Sequence, residues 1–160
     1  MPSAVDELLA EYEDPSRFAT AIEDYVLSLL GPDGFAGLSE AEQTVYCMDE
    51  LEREVNDGGF SQFYVNSAGE QAVETVAALK RIGAMRCAAL VEQANVVFGE
   101  GGPSKDRDKR QKQVARLGKG AASLWNELDQ AFFEYPDKLA MLLREYVAAH
   151  RAEIPLCQYE

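Results

Sequence analysis

A chain of 160 residues with a net charge of −13 is long enough for one hydrophobic core and short for two domains. Nearly half of the residues are apolar, but no apolar run approaches the ~20 residues of a membrane span, and the N-terminus is acidic where a secretory signal is basic. We therefore expect a cytoplasmic protein without membrane contact, and the negative charge disfavours direct binding of nucleic acid.

The negative charge is concentrated in the first half of the chain. Residues 1–80 hold 17 acidic and three basic residues, whereas residues 81–160 hold 11 acidic and 12 basic residues. Such a field attracts basic surfaces, including those of proteins that bind nucleic acid. Acidity that only keeps the protein soluble fits the same numbers, so both interpretations stay open.

The hydrophobic pattern is helical along the whole chain. Apolar residues recur with a period near 3.6, and no segment sustains the alternation of a β-strand. We therefore predict an all-α fold, a single compact domain of six to eight helices. The first well-marked helix has Asp14 as its N-cap and Pro15 at its first position, and it ends at Gly31.

A capping box opens the next helix. Ser39 and Glu42 have the Ser-x-x-Glu spacing in which each side chain accepts a hydrogen bond from the other residue's backbone N–H. Gly58 stands where a left-handed residue ends a helix, so we predict that the helix stops there. A second Ser-x-x-Glu pattern, Ser67 to Glu70, predicts the start of the following helix.

The segment NDGGFSQFYVN between these two signals has two interpretations. In the first, its aromatic residues anchor a joint between helices in the core, and the structural motif consists of Asn56, Gly58, Gly59, Phe60, Gln62, Phe63, Tyr64 and Asn66. In the second, the chain is a small-ligand module with a cleft lined by Asn56, Phe60, Gln62, Tyr64 and Asn66. No pattern of acid, base or nucleophile accompanies the segment, so we favour the joint.

The second half of the chain begins with a helix break near Gly83 and contains a basic run at residues 105–119. This run holds seven basic and two acidic residues, too few apolar residues for a core helix, and no interleaved aromatics of the kind that bind single-stranded nucleic acid. We predict a mobile surface segment, or one that pairs with the acidic half of the same or a second chain. Two amphipathic helices follow it, separated at Pro136.

Residue types that carry catalysis or bind metals are scarce. The single histidine, His150, ends the last predicted helix, where the helix dipole favours its charged form. Cys47, Cys87 and Cys157 match neither a zinc site nor a disulfide framework. No phosphate-binding glycine motif, EF-hand spacing or Glu-x-x-His pair occurs. We therefore predict no enzyme activity, no cofactor and no metal.

The helix that holds residues 40–57 carries the predicted partner-binding surface. Seven acidic residues and one basic residue over these 18 positions give about one net charge per 4.5 Å, against one per about 1.7 Å of duplex DNA. One helix is therefore too dilute to imitate a duplex, but several acidic helices together approach it. The predicted acidic face consists of Glu40, Glu42, Asp49, Glu50, Glu54 and Asp57.

Three segments suggest a family: EVNDGGFSQFYVNSAG, AVETVAALKRIGA and ELDQAFFEYPDKLAMLLREYVAAH. Together they resemble the DNA-mimic protein 19-like family, bacterial helical domains of largely unknown function. The resemblance implies an all-α fold, a homodimer and, for the founding type, a negative surface that occupies the DNA-binding face of a transcriptional regulator. The chain then divides into acidic helices at 1–37, the family-like domain at 38–150, and a C-terminal tail at 151–160.

We therefore predict an acidic, non-enzymatic binding protein with a basic protein as its partner, such as a DNA-binding regulator. DNA mimicry is the form of binding that the resemblance implies. Mimicry depends on surface carboxylates, which a motif of glycines, aromatics and amides does not specify. The alternatives are the small-ligand module and a structural interaction domain whose acidity serves solubility only.

Overall fold

The computed structural model describes residues 2–155, and the regular secondary structure in this range is helical. Its seven α-helices are α1 (Ala4–Glu11), α2 (Pro15–Ser28), α3 (Glu40–Val65), α4 (Ala72–Arg81), α5 (Met85–Val96), α6 (Arg107–Phe133) and α7 (Leu139–Ala149). Short 3-10 turns occur at Gly34–Gly37, Ser67–Gln71 and Arg151–Glu153. The predicted all-α fold is confirmed. Cys157 and part of the predicted tail lie outside the described residues.

The first two helices begin at side-chain caps. Ser3 and Asp6 form a capping box at the start of α1. The Asp14 carboxylate accepts a hydrogen bond from the Arg17 backbone N–H at 3.1 Å, and Pro15 is the first residue of α2, as predicted. The apolar side of α2 packs against α3 and α7, so this N-terminal part belongs to the same core as the rest.

Helix α3 starts as predicted but ends later. The Ser39–Glu42 capping box is present. The regular helix is interrupted at Gly58, as predicted, but the chain only kinks at Gly58 and Gly59, and a second helical segment that was not predicted continues to Val65. The left-handed residue is Gly59, with φ 73°, rather than Gly58. Beyond the kink, an Asp129 carboxylate oxygen from α6 accepts the Phe60 N–H at 2.7 Å and caps the second segment.

The second predicted capping box does not form. Ser67–Gln71 is a 3-10 turn without a side-chain cap, and α4 begins only at Ala72. The turn is pressed against its neighbours: a Cβ on Gly69 would lie 2.6 Å from the Arg110 Nε and 2.9 Å from the Tyr64 Cα. This close approach holds the chain in a tight turn, so tertiary contact overrides the local signal.

The basic run is helical, which corrects the prediction of a mobile surface segment, and Lys105 forms an ion pair with Glu74, so the alternative of pairing with the acidic half of the same chain is present at that residue. The run forms the first part of α6, with Asp106 as the N-cap. Gly118, with φ 75°, kinks the helix, and the second part turns Trp125 and Phe132 into the core. The basic run has an inner side as well, because Arg110 is fully buried.

Aromatic side chains fill the core where α3, α5 and α6 meet. The Tyr64 and Trp125 rings stack with their centroids 4.8 Å apart, and the Trp125 Nε1–H donates to the Ala94 carbonyl at 3.1 Å. Phe60 and Phe132 make an edge-on contact in the same cluster. No helix among residues 2–155 combines the length and apolar character needed to cross a membrane.

Candidate functional site

The amide side chains that follow the kink of α3 bind acidic residues that precede it. One Glu54 carboxylate oxygen, Oε2, accepts hydrogen bonds from the Gln62 amide at 3.0 Å and the Asn66 amide at 2.9 Å. The Gln62 amide also donates to the Asp57 carboxylate at 2.9 Å. Since these bonds join the two segments of α3, the polar residues of the motif hold the kink in place.

The aromatic residues of the same motif fill the core rather than a cleft. Phe60, Phe63 and Tyr64 are fully buried, and the Tyr64 hydroxyl is hydrogen-bonded to the Asn95 side chain. The small-ligand interpretation needs Phe60 and Tyr64 as an accessible lining. Because both rings are buried, they cannot line a ligand cleft. Of the other residues of that proposed cleft, Asn56 is exposed and donates a hydrogen bond to the Tyr135 hydroxyl at 2.8 Å.

Arg110 is a residue whose role the sequence analysis missed. Its guanidinium is fully buried and donates to the backbone carbonyls of Tyr64 at 2.7 Å, Asn66 at 2.8 Å and Ser104 at 2.8 Å. It thus pairs with carbonyls at the end of α3 that no further helical turn can satisfy. Helical spacing could have indicated its burial, because Arg110 shares a helix face with the apolar residues Val114 and Leu117.

The predicted acidic face is not one continuous exposed surface. Glu42, Glu50 and Glu54 are buried. Glu42 accepts the Ser39 backbone N–H in the capping box, and Glu50 pairs with Arg53. These carboxylates face inward because α3 packs against α2, α4 and α6 and has little free surface. Three of the six predicted contact residues therefore do not present a free charge to a partner.

The other three members of the face differ in exposure. Asp49 has only 18% of its side chain exposed and lies 3.9 Å from the Arg53 guanidinium. Glu40 has 64% of its side chain exposed, although its carboxylate is 3.3 Å from Arg81. Asp57 is exposed. Glu40 and Asp57 stand near opposite ends of the first segment of α3, so they do not form a compact patch.

Another group of exposed acidic residues lies on the first two helices and on the connection between them. We define the N-terminal acidic surface as Glu7, Glu11, Glu13, Asp14 and Asp24, all of which are exposed. Tyr12 of the α1–α2 connection and Asp24 of α2 line the same shallow surface hollow, so the two helices adjoin there. Arg17 lines that hollow too and is the exposed basic residue within this surface.

A second group of carboxyls lies where α2 meets α3. Burial, and then the charges of Glu52, Asp49 and Asp24, raises the pKa of Glu23 to about 9. Burial likewise raises the pKa of Asp49, which Arg53 partly offsets, and of Glu52, which the Tyr135 hydroxyl partly offsets. Since the pKa of Glu23 lies above neutral pH, Glu23 adds less negative charge than the composition implies.

The two described thiols are protonated, and the histidine ring is in contact with a tyrosine. Burial raises the pKa of Cys47 and of Cys87 to about 12, so neither is a thiolate at neutral pH. The His150 ring stacks on Tyr146 with centroids 4.1 Å apart, and its Nδ1 is 2.8 Å from the Tyr146 carbonyl oxygen. Residues 2–155 contain no group of three His, Cys, Asp or Glu placed to hold a metal ion.

Comparison with known families gives one decisive result. The model of the DMP19-like proteins matches residues 36–150, which is more than half of the chain. The chain belongs to the DMP19-like protein family. Comparisons with curated proteins and with solved structures gave no significant match.

The matched part of this DMP19-like protein begins just before α3 and ends after α7. Helices α1 and α2, which carry the N-terminal acidic surface, lie outside it. The family segment therefore supplies the kinked α3, its amide bonds and the aromatic core. The exposed acidity belongs to residues that precede the segment, so the family model and the acidic surface are two separate observations.

Proposed function

We propose that this DMP19-like protein is an acidic binding protein whose N-terminal acidic surface engages a basic partner protein. The observation that carries the proposal is the distribution of exposed charge. Among the described residues up to position 80, nine acidic side chains are exposed against three basic ones. Electrostatic complementarity of this kind steers association and selects basic partners.

In its finer form, the proposal is that the partner is a DNA-binding regulator and that the acidic surface occupies its DNA-binding face. Family membership supports this form, and so does the sign of the exposed charge. A homodimer, which the family resemblance implies, brings two N-terminal acidic surfaces into one assembly. Two surfaces raise the local charge density toward that of a duplex, which a single helix does not reach. We place this binding in the cytoplasm, without direct contact to nucleic acid.

We also propose that the protein acts without catalysis. The buried, protonated thiols of Cys47 and Cys87 are poor nucleophiles, and His150 is engaged with Tyr146. The motif residues that suggested a pocket hold the α3 kink instead. Binding through surface charge needs no thiol, imidazole or pocket. It needs exposed carboxylates, which the described residues provide.

A charge-reversal capture experiment tests the proposal. The full chain is immobilised, and proteins of the native host are captured at low salt, eluted with rising salt and identified. The variant Glu7→Lys/Glu11→Lys/Glu13→Lys/Asp24→Lys should lose capture of the basic partner, because several ion pairs are reversed together. Asp14 is left unchanged because it caps α2. Duplex DNA added to the wild-type complex should release the partner.

The matched control reverses four exposed acidic residues of the second half: Glu100, Glu127, Glu134 and Glu145. It changes the net charge equally and should retain capture, while circular dichroism verifies helicity in both variants. Equal loss in both variants would show a nonspecific effect of net charge and reject the proposed surface. Capture that resists competing DNA would reject mimicry and leave only the binding proposal.

A further inference from the structure

A cleft of about 380 Å³ lies between the first turns of α2 and α7, beside α3. Its apolar lining includes Pro15 of α2 and Leu139 and Met141 of α7, and its polar lining includes Glu52 of α3 and Tyr135. Met141 is 42% exposed, so part of the apolar lining is in contact with water. The cleft thus joins an apolar wall to a carboxyl group.

The polar side of the cleft is held in place by hydrogen bonds. The Asn56 amide donates to the Tyr135 hydroxyl at 2.8 Å, and this hydroxyl donates to Glu52 Oε2 at 3.1 Å. Tyr135 has φ 49°, a left-handed conformation that is unfavourable for an aromatic residue. These bonds fix the Tyr135 side chain beside Glu52. In the described part of the chain, no donor binds the other Glu52 oxygen, Oε1.

The electrostatics of the cleft favour a cation. Asp49 of α3 acts on the Glu52 carboxyl group as a like charge. Lys138 also lines the cleft, but it forms no ion pair with any described residue. The carboxyl group of Glu52 therefore has a hydroxyl donor but no cationic partner.

We propose that this cleft receives one lysine or arginine side chain of the basic partner, with the aliphatic part against Pro15 and Met141 and the cationic end on Glu52. The inference rests on the proposed function and names a contact site beside the N-terminal acidic surface, since Ser16 lines both the cleft and the hollow of that surface. Lysine and arginine combine an apolar stem with a charged end, which matches both walls. A purely apolar group leaves Glu52 desolvated without a cation, and an anion is repelled.

The first test uses small probes and therefore does not depend on finding the partner. Nα-acetyl-arginine methylamide and Nα-acetyl-norleucine methylamide are titrated into the ¹⁵N-labelled full chain, and amide chemical shifts are followed by NMR. The arginine probe should bind with a Kd on the order of millimolar and shift amides at Glu52, Tyr135 and Met141. The norleucine probe has a similar stem without the charge and should shift them at least fivefold less at equal concentration.

Variants then assign the binding to particular side chains. Glu52→Gln keeps an acceptor for the Tyr135 hydroxyl and should weaken arginine binding about tenfold. Glu127→Gln removes an exposed carboxylate of α6, outside both the cleft and the N-terminal acidic surface, and should leave the affinity unchanged. Lys138→Met removes the like charge from the cleft and should strengthen binding about twofold.

The outcomes separate this inference from the proposed function. Equal binding of the two probes, equal affinity of Glu52→Gln and Glu127→Gln, or shifts confined to other helices would overturn the cleft assignment. If the arginine probe binds the cleft but no basic protein is captured, the proposed function fails alone. If a basic partner is captured equally by wild type and Glu52→Gln, and the probe does not bind, the cleft inference fails alone.

Discussion

Arg110 is a buried cation in an acidic protein, and its partners are backbone carbonyls. The guanidinium joins the end of α3 to the loop before α6, because Tyr64 and Asn66 lie on one side of it and Ser104 on the other. A planar guanidinium has five N–H donors and can bind several carbonyls in different directions, which suits this arrangement better than an ammonium group does. At the scale of single residues, this side chain accounts for the order of the basic run.

We expect Arg110→Met to lower the free energy of unfolding by about 3 kcal/mol, because the Tyr64 and Ser104 carbonyls lose their Arg110 donor and the Asn66 carbonyl keeps only the Gly69 N–H. Arg110→Lys keeps the charge but reaches fewer acceptors, so its loss should be smaller. Urea denaturation followed by circular dichroism measures both. Arg116→Met, at an exposed position of the same helix, is the control and should stay within about 0.5 kcal/mol of wild type. A neutral Arg110→Met would show that the carbonyls do not depend on the guanidinium.

At the scale of elements, the kink of α3 depends on one glycine. Gly59 combines φ 73° with the approach of Asp129, whose Oδ2 would lie 2.3 Å from an added Cβ. Gly59→Ala should therefore destabilise the protein by about 2–4 kcal/mol, through backbone strain and displacement of the Asp129 cap. Urea denaturation measures the change, and loss of the Phe60 amide protection in hydrogen exchange locates it.

Gly120 provides a control for which alanine should change the free energy of unfolding in the opposite direction. It lies within α6, and an added Cβ there has no neighbour within 4 Å. Gly120→Ala should stabilise the protein by up to about 1 kcal/mol, because alanine loses less conformational entropy in a helix. If Gly59→Ala and Gly120→Ala change the free energy of unfolding equally, the backbone geometry of Gly59 does not contribute to stability, and the kink has another cause.

The sequence predicts elements well where the signal is local. The Asp14–Pro15 start, the Ser39–Glu42 capping box and the break at Gly83 depend on residues a few positions apart, and all three are present. The pattern at Ser67 also looks local, yet contact with Arg110 shapes that turn. Periodicity also finds the core faces of the helices, since it reports which side is apolar.

The candidate site is less predictable because exposure is a tertiary property. Glu54 resembles a surface acid in sequence, but its donors Gln62 and Asn66 reach it only through the kink. Arg110 finds its carbonyls more than 40 positions away along the chain. Counting charges therefore predicts an acidic face on α3, whereas packing buries three of its six members and leaves the N-terminal acidic surface exposed.

At the scale of the whole molecule, the acidic residues divide into an exposed set and a desolvated set. The N-terminal acidic surface is exposed to solvent. Glu23, Asp49 and Glu52 are partly buried, and burial raises the pKa of each. The first set is the surface that we propose for partner binding, and the second set links folding to pH.

The desolvated set gives stability a definite pH dependence. A carboxyl whose pKa is raised on folding binds its proton more tightly in the folded state, so its contribution is complete below its unfolded pKa and is lost as pH rises through the folded value. For Glu23 this window runs from about 4.5 to about 9. Asp6 acts in the opposite sense, because hydrogen bonds from Ser3 lower its pKa, but its window lies below about 4. The free energy of unfolding should therefore decrease between about pH 5 and pH 9.

Replacing Glu23 tests this linkage, since Glu23→Gln mimics the protonated side chain at every pH. The variant should flatten the decline and should be more stable than wild type at pH 8 by about 1–3 kcal/mol, given about 1.4 kcal/mol per pKa unit and the screening of a partly buried site. Urea denaturation at constant ionic strength across the range measures it, and Glu11→Gln should follow the wild-type curve. A wild-type stability that rises from pH 5 to pH 9 would contradict the raised pKa of Glu23, because the unfolded chain would then hold more protons than the folded one.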